Sequence, residues 1–370
     1  MKNVLFVATV VQKHINVFHL PFLGQFQKDG YRTYVAAAND TEKDDVEIKN
    51  CDEYVEIDFK RNPLHPGNIK AYLKLKKLID KEQFDIIHCH TPVGGLLGRL
   101  AARKARKKGT KVLYTAHGFH FYKGAPLKNW LMYYPVEKFC SRFTDTLITI
   151  NREDYSLAKK KMKAKRIEYV PGVGIDLSRF DNVQVDRTAK RKEIGVPEDA
   201  FLLASVGEIS VRKNHQIIVK TMKEIHNEKI HYAIVGNGAL LPKMKDFVEE
   251  CGLSDRVHFL GYRGDIPEIY KVADVCCLPS IHEGLPVALM EGMATGLPCI
   301  TSRIRGSTDL IGSDSGFLVD PQDTDGFAKA ITALMNDHLL CKKMGEINKE
   351  RARQYSVNTI VQTMKSIYES

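Results

Sequence analysis

The sequence predicts an α/β protein made of two doubly wound, Rossmann-like domains. Three observations carry this. Apolar runs of strand length alternate with helical periodicity through most of the chain. The rhythm breaks once, at Val170-Pro-Gly-Val-Gly-Ile-Asp176, where one Pro and two Gly read as a linker. A chain of 370 residues with 44% hydrophobic content can bury two cores.

In the first half, Val4–Thr9 reads as a strand, followed by a His-containing loop and a helix to about Lys28. Thr33–Ala38 is the next strand and Ile69–Lys81 a helix. Ile86–His90 is a strand, Leu96–Lys107 a helix, and Val112–Thr115, Thr146–Ile150 and Glu168–Val170 are strands. Such alternation implies a parallel sheet with helices on both faces. The second half repeats it at Leu202–Val206, Tyr232–Val235, Val257–Phe259, Val275–Leu278, Cys299–Thr301 and Gly316–Val319. The expected domains are 1–172 and 173–352, with a terminal helix over 353–370.

The apolar run after Met1 is short and lacks a small-residue cleavage site, so it reads as a buried strand rather than a signal peptide. No stretch approaches bilayer-spanning length. The eight Cys lack metal spacing and read as core thiols of a cytoplasmic protein. In a strand His88 and His90 share a face and Cys89 points away, so no metal is assigned there. Asp323-Thr-Asp325 precedes an apolar helix and reads as an N-cap, again without metal.

Charge is uneven. Residues 1–170 hold 31 Lys and Arg against 18 Asp and Glu, whereas the remainder holds 24 against 27. The basic half favours an anionic partner, nucleic acid or a membrane surface. No recognition helix or RNA-binding motif supports nucleic acid. Arg99–Lys108, Lys128–Tyr134 with the single Trp, and Lys159–Arg166 are either solvated or buried segments or a face for an anionic leaflet.

The most informative segment is Glu283-Gly-Leu-Pro-Val-Ala-Leu-Met-Glu291. Pro286 suits the start of a helix, which places Glu283 on the preceding loop and Glu291 near the second turn, on the same side. The amides around Gly284, Leu285 and Pro286 suit an anion. The plain alternative is a capping acid and a solvated acid. Arg212 and Lys213 follow a strand and the loop at Gly207, where two cations can neutralise a diphosphate. Gly236-Asn237-Gly238 permits close backbone approach to a phosphate or is a plain connection.

These segments, with Phe259-Leu-Gly-Tyr262-Arg263 and Ala273-Asp274, occur in an order that resembles the nucleotide-sugar half of the family-4 retaining glycosyltransferases of GT-B fold. The resemblance implies two domains facing a cleft, a nucleoside diphosphate sugar as donor, and no other cofactor or metal. It implies that Lys213 and Arg212 meet the diphosphate, Glu283 the sugar hydroxyls and Glu291 the ribose, with the base resting near Tyr262 and Arg263. It gives His117, at the end of a strand, a contact with the transferred sugar. His120 is either a second cleft residue or packing. Glu208 departs from the family's usual Arg after the loop Gly, and Arg212 takes over that charge. The first loop lacks the usual paired glycines, so His14 and His19 are expected to touch the acceptor instead.

The expectation is therefore a hexosyltransferase using a UDP-hexose or UDP-N-acetylhexosamine. Its acceptor would be a lipid-linked or saccharide molecule in capsule or exopolysaccharide assembly, at the inner membrane face. A soluble acceptor, a sugar-nucleotide epimerase and a basic nucleic-acid-binding protein are the rivals.

Overall fold

A computed structural model describes residues 1–41 and 46–370. The chain forms two compact units: residues 1–173 together with 358–370, and residues 174–357. In the first, β1 (Lys2–Val10), β2 (Tyr31–Ala38), β3 (Glu53–Glu56), β4 (Ile86–His90), β5 (Lys111–Ala116), β6 (Thr146–Thr149) and β7 (Arg166–Tyr169) form one sheet, ordered β3-β2-β1-β4-β5-β6-β7. In the second, β8 (Phe201–Val206), β9 (Ile230–Val235), β10 (Val257–Gly261), β11 (Val275–Leu278), β12 (Cys299–Ser302) and β13 (Gly316–Val319) are ordered β10-β9-β8-β11-β12-β13.

All pairings between these thirteen strands are parallel. Both sheets carry the doubly wound order, whose ligand-binding crevice lies at the strands' carboxyl ends where the order reverses. Those points are β1/β4 and β8/β11. Buried on both faces, the strands read as continuous apolar runs such as Val4-Leu-Phe-Val-Ala8.

Four local differences from the sequence reading have physical causes. The segment after β1 is helical rather than a loop: a π-type turn at Val11–Ile15, a short turn at Asn16–Phe18, and a helix at Leu20–Lys28. The edge strand β3, Glu53-Tyr-Val-Glu56, was missed because it is short and half polar. The third difference is the helix placed at 96–107, which begins at Pro92 and divides into Pro92–Ala101 and Arg103–Lys107. Its Gly94, Gly95 and Gly98 disfavour a helix locally, yet close packing demands them. A Cβ at Gly95 would meet the Tyr114 ring at 2.4 Å, and one at Gly98 would meet Cys89 Sγ at 2.5 Å.

The fourth concerns the basic run from Arg99. Arg99 is not a surface cation but fully buried. Its guanidinium bonds Glu137 Oε2 at 2.9 Å and Gly95 O at 2.7 Å and lies 3.8 Å from the Tyr114 ring centre. Tyr114 donates to the other Glu137 oxygen at 3.2 Å. Arg106 forks onto Asp145 with two bonds of 2.9 Å. Hydropathy could not separate these two from their exposed neighbours, because their partners lie about forty positions downstream.

The last helix, Val357–Glu369, belongs to the first unit. Tyr368 packs on Phe26 with ring centres 4.6 Å apart, and its hydroxyl lies 2.7 Å from His88 Nδ1. Lys365 pairs with Asp29 at 2.7 Å. Among the described residues no helix is long and apolar enough to cross a membrane.

Candidate active site

In the second unit, the switch point brings together two segments that the sequence places about seventy residues apart. The turn Val211–Lys213 after β8 lies against the loop after β11: Ile281 N–H donates to Arg212 O at 2.8 Å, and Arg212 Nη1 to His282 O at 3.3 Å. Asn214, with φ +54°, holds both sides by donating to Pro279 O and Pro321 O.

This docking places Glu283 between two cations, with Lys213 Nζ at 2.8 Å from Oε1 and Arg212 Nη1 at 2.8 Å from Oε2. Glu283 and Lys213 are each only 8% exposed. Burial pushes the Glu283 carboxyl up, but Lys213 and Arg212 outweigh it, so the net shift is below its ordinary value. The two cations and the acid, expected to act on different parts of a ligand, form one charged cluster.

Glycines shape this corner. Gly207, at φ +156°, lets the Lys213 stem lie across it; a Cβ there would stand 2.7 Å from Lys213 Cε. Gly236 and Gly238 also allow close approach, but the approaching group is protein. A Cβ at Gly236 would meet Gly207 O at 2.1 Å, and one at Gly238 would meet Ile209 O at 2.2 Å. Asn237 O accepts from Ile209 N–H at 3.0 Å. On the Cβ side of Gly236 and Gly238 it is thus the loop 207–209 that makes the close approach.

Pro286 is the N-cap of the helix Val287–Thr295 and supplies no side-chain cap, which leaves first-turn amides for another acceptor. Leu285 is buried, and Gly306, at φ +78°, fits against Gly284 O. Glu291 lies on the helix's second turn. Burial pushes its carboxyl up to about 7, only partly opposed by Arg179. Tyr262 is 88% exposed beyond β10, and Arg263 is held by Glu193 and Asp265. Sequence reasoning missed Arg305. It is buried, donates from Nε to Glu283 O at 3.2 Å, and lies 2.6 Å from His282 Nε2, so it braces the acid's loop. Asp323 caps its helix by accepting from Gly326 N–H, in the way its sequence position indicates.

In the first unit, the carboxyl ends of β1, β4 and β5 gather His14, His19, His90 and His117, whose nearest ring nitrogens all lie within 4.8 Å of one another. His14 and His19 were expected near an acceptor and His117 near the sugar; their convergence, and His90, were not foreseen. Alternation along β4 put His88 and His90 on one face, and that was the one signal the sequence carried. Burial first, then neighbouring rings, pushes His14, His19 and His90 well below their ordinary value; burial alone takes His117 down to about 4. His120 is not in this group: it stacks on Tyr133, with ring centres 4.5 Å apart.

Comparison with known proteins supports one reading of this geometry. Residues 186–351 match the family model for glycosyl transferases group 1, and residues 3–151 that for glycosyl transferase 4-like domains. The chain is 40% identical over its full length to the putative glycosyltransferase EpsD of Bacillus subtilis strain 168, covering 97% of it. It is 32% identical to the Escherichia coli UDP-Gal:alpha-D-GlcNAc-diphosphoundecaprenol alpha-1,3-galactosyltransferase, over 81% of this chain and 79% of that one. Among solved structures, Anabaena HepE with UDP and glucose superposes with a TM-score of 0.84 at 18% identity, over all of both chains. WaaG, a glycosyltransferase involved in lipopolysaccharide biosynthesis, gives 0.77 at 17% identity over 99% of both.

Proposed function

The chain belongs to the glycosyltransferases that combine a 4-like and a group 1 domain in a GT-B fold, and from that premise we propose that it moves a hexose or N-acetylhexosamine from a UDP-sugar to a lipid-linked saccharide, with retention, in surface polysaccharide assembly. The observation that carries this reading is the Lys213–Glu283–Arg212 cluster beside the uncapped helix at Val287. A buried Lys213 and an exposed Arg212 next to free helix amides suit a departing diphosphate, whose negative charge grows in the transition state. The Escherichia coli relative's diphosphoundecaprenol acceptor and the UDP bound by HepE support the choice of acceptor and donor classes.

The roles are those that the family resemblance implies. Lys213 meets the diphosphate from where it stands, and the exposed Arg212 turns to it from Glu283, which frees a carboxylate oxygen to accept from sugar hydroxyls. Glu291 accepts from the ribose, Tyr262 and Arg263 flank the base, and His117 bonds a sugar hydroxyl. The titratable groups gathered around His117 are histidines, so a carboxylate nucleophile for double displacement is not drawn from that cluster. Departure and attack on one face, with the leaving phosphate taking the acceptor's proton, fits better. Screening UDP, GDP, ADP and their sugar conjugates by thermal shift tests the reading. A rise in melting temperature with UDP conjugates is expected; no rise with any nucleotide would overturn it.

Glu291 gives a sharper prediction. With a carboxyl pKa of about 7, it carries a proton below that pH and is a charged, stronger acceptor on both oxygens above it. UDP-sugar affinity in calorimetric titrations should therefore rise as pH increases through about 7, and Glu291→Gln should flatten that dependence. Without ligand the sign is opposite. A raised carboxyl contributes stability below its unfolded value that is lost as pH climbs through the folded one.

Membrane association belongs to the same proposal. The helix Leu127–Cys140 exposes Leu127 (72%), Leu131 (70%), Met132 and Phe139, alongside Lys128 and Lys138. Its Trp130 and Tyr134 pack inward on Phe121. Exposed apolar side chains flanked by cations suit an anionic leaflet. The protein should float with vesicles containing anionic lipid at low salt and be released at high salt. Leu131→Glu should weaken flotation several-fold; equal flotation of the variant would remove this surface, and none by the wild type would favour a soluble acceptor.

A further inference from the structure

The histidines at the carboxyl ends of β1, β4 and β5 are joined in two pairs. His19 Nε2 lies 3.2 Å from His14 Nε2, and His90 Nδ1 lies 3.3 Å from His117 Nε2. Each pair joins a buried ring, His19 or His90, to a half-buried one, His14 or His117. A hydrogen bond between two ring nitrogens needs one N–H and one lone pair.

The far nitrogens of the buried rings give the bonds their direction. His19 Nδ1 and His90 Nε2 are buried and meet no hydrogen-bonding group. Burial holds all four rings below their ordinary value, so each is neutral at neutral pH and carries a single proton. On the far nitrogen that proton would be a buried N–H without an acceptor, and such orphans are rarer than under-satisfied acceptors. On the near nitrogen it makes the bond and leaves only a lone pair unmatched. His19 Nε2–H therefore donates to His14, and His90 Nδ1–H donates to His117. His14 and His117 accept at Nε2, so their own protons sit on Nδ1.

We propose that His19 and His90 are positioning residues, which lock His14 and His117 as Nδ1–H donors to sugar oxygens. The buried rings are wedged in place. His90 stacks on Phe6 with ring centres 5.6 Å apart and lies against His19 at 3.9 Å and His88 at 4.0 Å. His88 is itself pinned, 2.7 Å from the Tyr368 hydroxyl and 2.8 Å from Thr115 Oγ1. The proposal rests on the sugar contact given to His117 above and adds a direction to it. With Nε2 occupied and Nδ1 protonated, His117 has no lone pair left for the acceptor's proton, which stays with the leaving phosphate. A fixed donor admits a hydroxyl or an N-acetyl carbonyl beside it and disfavours the ammonium of an unacetylated amino sugar, which has no lone pair to offer.

The test is read first without substrate, on full-length protein carrying isotope-labelled histidine. Proton–nitrogen correlation spectra of the rings locate each proton, and His14→Gln and His117→Gln supply the assignments. His14 and His117 should each be protonated at Nδ1 alone. His90→Phe keeps a ring but removes the donor, and His117 should then populate both tautomers. His90→Asn puts an amide N–H near the place of Nδ1–H and should restore the single form. Turnover of a UDP-sugar should fall about tenfold in His90→Phe, the worth of one neutral hydrogen bond, and recover in His90→Asn. Circular dichroism and melting curves check that the variants fold. A proton on Nε2 of His117 in the wild type would overturn the proposal, whatever the variants do. So would an unchanged His117 tautomer, or full turnover, in a folded His90→Phe protein. The spectra need no nucleotide, so failure here, a misplaced ring proton, is distinct from failure of the donor reading, no thermal shift with any nucleotide.

Discussion

Lys213→Ala is expected to lower turnover by about 10²–10³-fold, the size of effect seen when one preorganised charge-stabilising donor is removed. The reasoning is local. Lys213 is almost fully buried, its stem lies over Gly207, and its ammonium is 2.8 Å from Glu283. It has little freedom to wander, so its charge is fixed in advance where a diphosphate would leave. An interaction that strengthens as negative charge develops should reduce kcat more than it raises KM. Lys213→Arg should recover only part of the loss, because a planar fork does not reproduce a point charge resting on a glycine. Steady-state kinetics with a UDP-sugar, beside melting curves, separate catalysis from folding. Full turnover in a folded Lys213→Ala protein would remove Lys213 from the mechanism.

Glu137→Ala should destabilise the protein by about 3–5 kcal/mol, as expected when one member of a buried ion pair is deleted. Arg99 has no surface to turn to, and Tyr114 loses its acceptor as well. For a unit of this size the melting temperature should fall by roughly 10 °C. Pairing the change with Arg99→Leu should recover much of the loss, because the uncompensated charge goes too. A single variant melting within a degree or two of the wild type would contradict this account.

Much of the fold was legible because fully buried parallel strands leave continuous runs such as Ile86–His90 and Val275–Leu278. What escaped reading depended on partners distant in sequence. The glycines at 95 and 98 look like helix breakers until Tyr114 and Cys89 are seen pressing on them. Arg99 looks like a solvated cation until Glu137 closes over it. In the candidate site, the spacing from Glu283 to Glu291 placed both acids correctly on the loop and the second turn. It could not place Lys213 and Arg212 against Glu283, or insert Arg305 beneath it, because those contacts join three different strand ends.

The terminal helix has a consequence for how the protein comes into being. Because residues 358–370 complete the first unit, the whole of the second is an insertion within it. During synthesis the second unit can close as soon as Val357 has emerged, while the first must wait for the last thirteen residues. Until then Phe26 and His88 lack their Tyr368 neighbour, and an apolar face stays open. The half of the protein made first is thus the half finished last, and a nascent chain stalled in its final turns would present that face to chaperones and proteases.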